Sequence, residues 1–210
     1  EVNGRVPKSL NLKQPGMIEV SKKRCSTMEI RFTIFEANCL EGMSAEEFEQ
    51  ENCPIYGFFE MKFSGHREGE YFDFSVPDDY LGGESLSYWF GSLLDVLHLF
   101  QNEKTDYMAI RAIEYVDRWI EIKKSQEKVC LNVVNASDPR EREALLLTSQ
   151  LCNPVYEPPL DTIESYDSFR QEIVRAVTEF LDEINGINPE LMKTQEFDGL
   201  LNSLHELEHK

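Results

Sequence analysis

The chain has 210 residues, 41% hydrophobic and 29% charged, which is the makeup of a globular rather than a disordered protein. Its 39 acidic and 21 basic residues leave a formal charge of -18. A field of that sign excludes nucleic acid and anionic membrane as partners and favours a basic protein, unless the acidity serves only solubility.

Residues 1–16 are polar, with Gly4, Pro7, Pro15 and Gly16 and no apolar core of a leader peptide. They read as a flexible N-terminal arm or an expression remnant, and Met17 is a candidate start of the folded part. Residues 17–210 are expected to form a single α+β domain with C-terminal helices, long enough for a core without metal or disulfide support. In "MEIRFTIFEANC", Met28, Ile30, Phe32 and Ile34 alternate with Glu29, Arg31 and Thr33, the pattern of a half-buried strand. "EGMSAEEFEQENCP" then predicts either a solvated loop or one short helical turn before Pro54. Residues 55–63 and 71–76 read as two strands joined by "SGHREGE" in a hairpin. Asp78, Asp79, Gly82 and Gly83 end the sheet, and Ser85 or Ser87 caps a helix that buries Leu86, Phe90, Leu93, Leu94, Leu97 and Phe100 on one broad face.

This apolar run is too short to span a membrane and carries Asp95 and His98. "AIEYVDRWIEIKKSQEKVCLNVVN" fits either period, and its β-branched and aromatic residues favour a hairpin. Residues 138–148 allow a helix from Pro139 or a strand from Leu145 to Thr148, and Pro154, Pro158 and Pro159 enforce an extended connection. A helix capped by Asp167 or Ser168 then places Phe169, Ile173, Val177, Phe180, Leu181 and Ile184 on one face and ends at Gly186, before a last helix over about 190–207. The fold class expected is α+β, an antiparallel meander with helices packed mainly on one face.

Signatures of chemistry are few. There is no GxxxxGK[ST], no GxGxxG after a strand and no GxSxG, and nothing calls for a cofactor. Cys25, Cys39, Cys53, Cys130 and Cys152 are odd in number and contain no CxxC pair, which suits reduced thiols in the cytoplasm rather than a disulfide framework or zinc knuckle. "HELEH" places His205 and His209 four apart beside Glu206, the literal zincin spacing, so a metal-dependent hydrolase is the alternative reading. It sits at the chain end with no third ligand downstream, and the metal assignment here is none. His98 is the remaining catalytic candidate, a histidine inside an apolar helix, and a structural role is the simpler account.

What remains is surface charge. Glu36 to Glu60 holds seven acids and no base, and Glu68 to Glu84 holds six acids without Lys or Arg. Together they predict one negative patch, with Glu46, Glu47, Glu49, Glu51, Asp78, Asp79 and Glu84 providing charge and Tyr80 the best aromatic anchor among Tyr56, Tyr71, Tyr80 and Trp89. The succession "YGFFEMKFSG", "GGESLSYWFGSLLDVL", "DRWIEIKK" and "FRQEIVRAVTEFL", over about residues 28–185, resembles the small immunity proteins of bacterial polymorphic and contact-dependent toxin systems. That resemblance implies an acidic cytoplasmic protein without catalytic residues that neutralises a basic toxin domain by tight binding.

Overall fold

The computed structural model describes residues 28–35, 37–51, 54–63, 66–72, 83–112, 117–137, 139–142, 144–158 and 162–208. The proposed N-terminal arm and Met17 lie outside them. Strand β1 (Glu29–Ile34) alternates as expected, with Met28, Ile30 and Ile34 buried and Arg31 exposed. The acidic stretch after it forms two helices, α1 (Ala37–Leu40) and α2 (Ala45–Glu51). β2 (Tyr56–Phe63) pairs antiparallel with β1 and with β3 (His66–Glu70), while the two-residue β4 (Glu84–Ser85) pairs with the start of β2. Gly57 permits this crowding, because a Cβ there would lie 2.1 Å from Thr33 O and 2.6 Å from Leu86 Cδ1.

Here the structure corrects the sequence reading. "HREGE" is a strand and not a connection, whereas Tyr71 and Phe72 are not in a strand and residues 73–76 lie outside the described part. A strand this polar is held by backbone pairing and by a buried carboxylate, Glu68, which an apolar alternation cannot reveal.

Helix α3 (Leu86–Gln101) follows at once. Ser85 caps it, its Oγ accepting from Tyr88 N. Leu86, Phe90, Leu93, Leu94, Leu97 and Phe100 are all buried, and so are Trp89, Ser92 and Val96, so the helix is covered well beyond one face. The second sheet contains β5 (Tyr107–Arg111), β6 (Arg118–Ser125), β7 (Lys128–Asn135), β8 (Leu146–Leu147), β9 (Val155–Tyr156) and β10 (Thr162–Ser165). Its strand order is β10-β7-β6-β5-β8, with β9 on β7 beside β10. The expected hairpin is β6–β7, and Gln126 adopts φ 54 in its turn. Both alternatives for residues 138–148 contain part of the answer: Pro139–Arg142 is a 3-10 turn and Leu146–Leu147 a short strand.

The sheet is covered on both sides at its centre. Met108, Ile110, Ile120, Ile122, Val129, Leu131 and Val133 join the main core, while Tyr107, Ala109, Trp119, Val134, Ala136, Leu147 and Leu151 form a smaller cluster beneath the chain leading to β9. Helix α4 (Tyr166–Ile187) is capped by Ser165, not Asp167 or Ser168, and runs through Gly186 to Asn188. Asn188 ends it with several bonds at once: its N–H donates to Ile184 O, its Nδ2 to Leu40 O and Met43 O, and its Oδ1 accepts from Glu190 N. After a 3-10 turn (Pro189–Lys193), α5 (Gln195–Glu208) closes the described chain. The fold is α+β, and the strands expected as one meander belong to two antiparallel sheets that share one apolar core with α3, α4 and α5.

A polar bridge joins the sheets. Arg118 on β6 donates from Nε to Glu68 Oε1 on β3 (2.5 Å) and from Nη2 to Glu68 Oε2 (2.8 Å), while Nη1 reaches Glu157 Oε1 (2.8 Å). Glu68 is buried, so its charge depends on this two-pronged pairing. Arg118→Ala is expected to cost about 3–5 kcal/mol by leaving the carboxylate uncompensated. Arg118→Lys should recover only part, since an ammonium lacks the planar fork. Urea denaturation of the three proteins decides it, and an alanine variant as stable as wild type would show that the bridge contributes nothing.

Candidate functional site

The acidic helix α2 is fixed to the body before it presents any charge. Ser44 and Glu47 form a reciprocal cap, with Ser44 N donating to Glu47 Oε2 (2.8 Å) and Glu47 N to Ser44 Oγ (3.2 Å). These bonds from Ser44 hold the Glu47 carboxyl below its ordinary pKa. Phe48 is buried against Phe197, and Glu49 Oε1 accepts from Gln195 N at the start of α5 (2.8 Å). Glu46 accepts from Gln50 Nε2 on the same helix. All four predicted carboxylates, Glu46, Glu47, Glu49 and Glu51, are exposed and within one seven-residue helix that has no basic side chain. Two of them, Glu47 and Glu49, also have structural work as helix caps.

The second acidic tract divides differently. Asp78, Asp79 and Tyr80 lie outside the described residues. Glu84 is a correction: it is buried, and its Oε2 accepts from Trp89 Nε1 (3.0 Å), so it presents no charge to a partner. Trp89 is likewise interior, stacked on Phe59 at 4.6 Å with 6° between the rings. Glu60 and Glu68, counted in the same tracts, are buried too; Lys62 Nζ and Arg67 Nε lie 2.8 and 2.5 Å from Glu60. The bases that compensate these acids come from outside the tracts. Tyr56 is 49% exposed, and Tyr71 is half-buried with the Arg31 guanidinium over its ring.

The histidines separate as well. His98 Nε2 lies 2.9 Å from Ser203 O and 2.8 Å from Ser203 Oγ across the α3–α5 contact, beside an open groove that also touches Asp95, Asn102 and Glu206. A serine–histidine pair could suggest acyl chemistry, but the carbonyl fixes the roles. An unprotonated Nε2 would face the carbonyl lone pairs, so Nε2–H donates to Ser203 O and cannot also take the Oγ proton. The pair is a tie between helices. His205 is exposed on α5, while His209 lies outside the described residues; among the described residues no three His, Cys, Asp or Glu side chains are grouped to hold a metal ion. No helix among them is long and apolar enough to cross a membrane. Comparison with protein-family models, with curated proteins and with solved structures finds no match to this chain.

Sequence reasoning passed over the arginine at the sheet junction. Arg118 meets Glu68 and Glu157, Asn135 Nδ2 donates to Glu157 (2.5 Å), and His66 Nε2 lies 3.4 Å from Glu68. The Asn135 bond first, and Arg118 after it, hold Glu157 below its usual value. No spacing in the chain announces a contact between residues 68, 118 and 157.

One carboxylate is misplaced for its charge. Burial raises Glu196 above the ordinary carboxylate range, with Ser87 on α3 opposing the shift, and its Oε1 has no hydrogen-bond partner. The native state therefore holds this proton more tightly than the unfolded chain does, so stability from this group is greatest below the unfolded pKa and is lost as pH rises through the folded one. Glu196→Gln should be more stable than wild type at neutral pH, with the gap closing toward about pH 4. Thermal melts across that range test it; a gap of constant size would remove the titration.

Proposed function

We propose that this protein acts without catalysis, as an acidic cytoplasmic immunity protein that neutralises a cognate basic toxin by tight protein–protein binding. The observation that carries the reading is α2, a capped and anchored helix with four exposed carboxylates and no base. The helix backbone fixes where these side chains start, and Glu47 and Glu49 are held further by Ser44 N and Gln195 N, so part of the ordering that binding would require is already in place. Asp78, Asp79 and Tyr80 belong to the same proposed patch, whereas the interior Glu84 leaves it. The chain-wide charge of -18 adds long-range attraction for a cationic partner.

Glu46 and Glu51 are the positions for a clean test, because Glu47 and Glu49 also cap helices. Glu46→Lys with Glu51→Lys should leave the denaturation midpoint nearly unchanged. It should slow association with a secreted toxin encoded beside the gene by about tenfold at low ionic strength, and the difference should shrink as salt screens it. Capture of that toxin followed by association kinetics at two ionic strengths measures this. Equal, salt-independent rates would sink the electrostatic mechanism, and failure to capture the toxin would leave solubility as the better account of the acidity.

The metal-hydrolase alternative makes the opposite forecast. Under the binding reading, purified protein contains no stoichiometric zinc, and His205→Ala with His209→Ala changes neither stability nor capture. Elemental analysis with zinc lost in the double variant would overturn it.

A further inference from the structure

The first turn of α5 serves two neighbours at once. Gln195 N donates to Glu49 Oε1 (2.8 Å), and the Phe197 ring packs on Phe48 with 5.8 Å between centroids, so this turn is the platform on which α2 rests. Phe48 is the one buried residue of α2, and a seven-residue helix is too short to persist in water undocked. The chain entering α2 is held separately, by Asn188 Nδ2 donating to Leu40 O and Met43 O. Glu196 sits in sequence between the two contacts with α2 and meets Ser87, near the start of α3. It is half-buried, its Oε1 is buried without a hydrogen-bond partner, and Ser87 Oγ is buried without one as well. A carboxyl in that position is tolerated as the neutral acid and costly as the anion.

We propose that Glu196 is a proton-operated latch on α2: protonated, it lets the first turn of α5 stay seated on α3 and hold α2, and ionised, it draws that turn toward water so that α2 loosens with it. The groups around it leave the response to one proton. α3 presents the uncharged Ser87, α2 presents Glu49, already bonded to the Gln195 amide, and α5 carries Asp198, which accepts from Asn202 Nδ2 (3.0 Å). Burial raises Glu196, Ser87 opposes the shift, and no charged group contributes to it. The seated turn therefore binds the proton more tightly than the open one. It is most populated below the ordinary carboxylate range and less so as pH rises through the raised value. The latch concerns how α2 is held and stands whether or not a basic partner binds there.

Amide hydrogen exchange of the full chain, compared between about pH 4.5 and about pH 7 and corrected for intrinsic exchange, tests the latch. Two amides report on it: Phe48 N, which donates to Ser44 O at α2, and Asp198 N, which donates to Thr194 O in the first turn of α5. Both are expected to exchange faster than the β6–β7 ladder, the mark of a local opening, and to lose protection several-fold as pH rises. Glu196→Gln should hold both near their low-pH protection at either pH. Glu183→Gln removes another carboxyl that burial raises, on α4, and should leave the response intact. Reporters as protected as the ladder would show that α2 opens only with the whole molecule and would overturn the proposal. So would protection that does not change with pH, a pH response that survives Glu196→Gln, or one that Glu183→Gln abolishes.

Discussion

Every layer of this fold is organised by the burial of one helix. α3 is apolar around most of its circumference, and a helix of that kind is stable in water only when neighbours cover it on several sides. The first sheet covers one side through the Phe59–Trp89 stack and through Leu86 N, which donates to Ile55 O (2.8 Å). The second sheet holds both ends: Tyr88 OH donates to Leu145 O (2.8 Å), and Lys124 Nζ donates to Phe100 O (3.0 Å) near the C-terminus, where carbonyls lack helical partners and the helix favours a cation. α4 and α5 close the remainder with Phe180 against Phe90 at 4.7 Å and with the His98–Ser203 tie. Aromatic pairs in offset contact contribute about 0.5–1.5 kcal/mol each beyond the area they bury.

The fold that wraps this helix also buries carboxylates, within each sheet and at the junction of the two. The strongly acidic composition supplies carboxylates there, and the fold compensates them individually. Glu68 takes the Arg118 fork, Glu60 lies between Lys62 and Arg67, Glu84 accepts the Trp89 indole, and Glu121 accepts from Asn132 Nδ2 and Tyr156 OH with Lys123 Nζ 2.6 Å away. Pairs of this sort add little net stability over an apolar replacement, but removing one partner alone is costly. Of these only the Glu68–Arg118 pair joins the two sheets, and it makes their relative placement selective, because the acid on β3 is tolerated only where the base on β6 arrives.

That division explains what was legible in the sequence. β1, α3 and the buried face of α4 have one apolar face or a continuous apolar stripe, and their residues announce it. β7 was legible as the second strand of the expected hairpin from its β-branched residues, whereas β5 is covered on both faces and "YMAIR" shows no alternation to mark it. β3 failed for the opposite reason, being polar throughout. The capping of α4 was displaced by two or three residues because Ser165, Asp167 and Ser168 are all competent caps, and only the exit from β10 selects Ser165. For the site, exposure of Glu46, Glu47, Glu49 and Glu51 followed from local charge, whereas the inward turn of Glu60, Glu68 and Glu84 depended on Lys62, Arg67, Arg118 and Trp89 reaching them.

Some of the remaining acids also bond the backbone. Carboxylates at helix starts satisfy backbone N–H groups and the helix dipole whatever else they do. Here carboxylates recur where they also occupy backbone positions: Glu47 at the start of α2, Glu49 at the start of α5, Glu172 on the edge of β1. Each places negative charge at a fixed point beside a helix end or a strand edge. In the proposed complex with a basic partner, the ordering cost of Glu47 and Glu49 would already be met by the bonds that hold them to the fold.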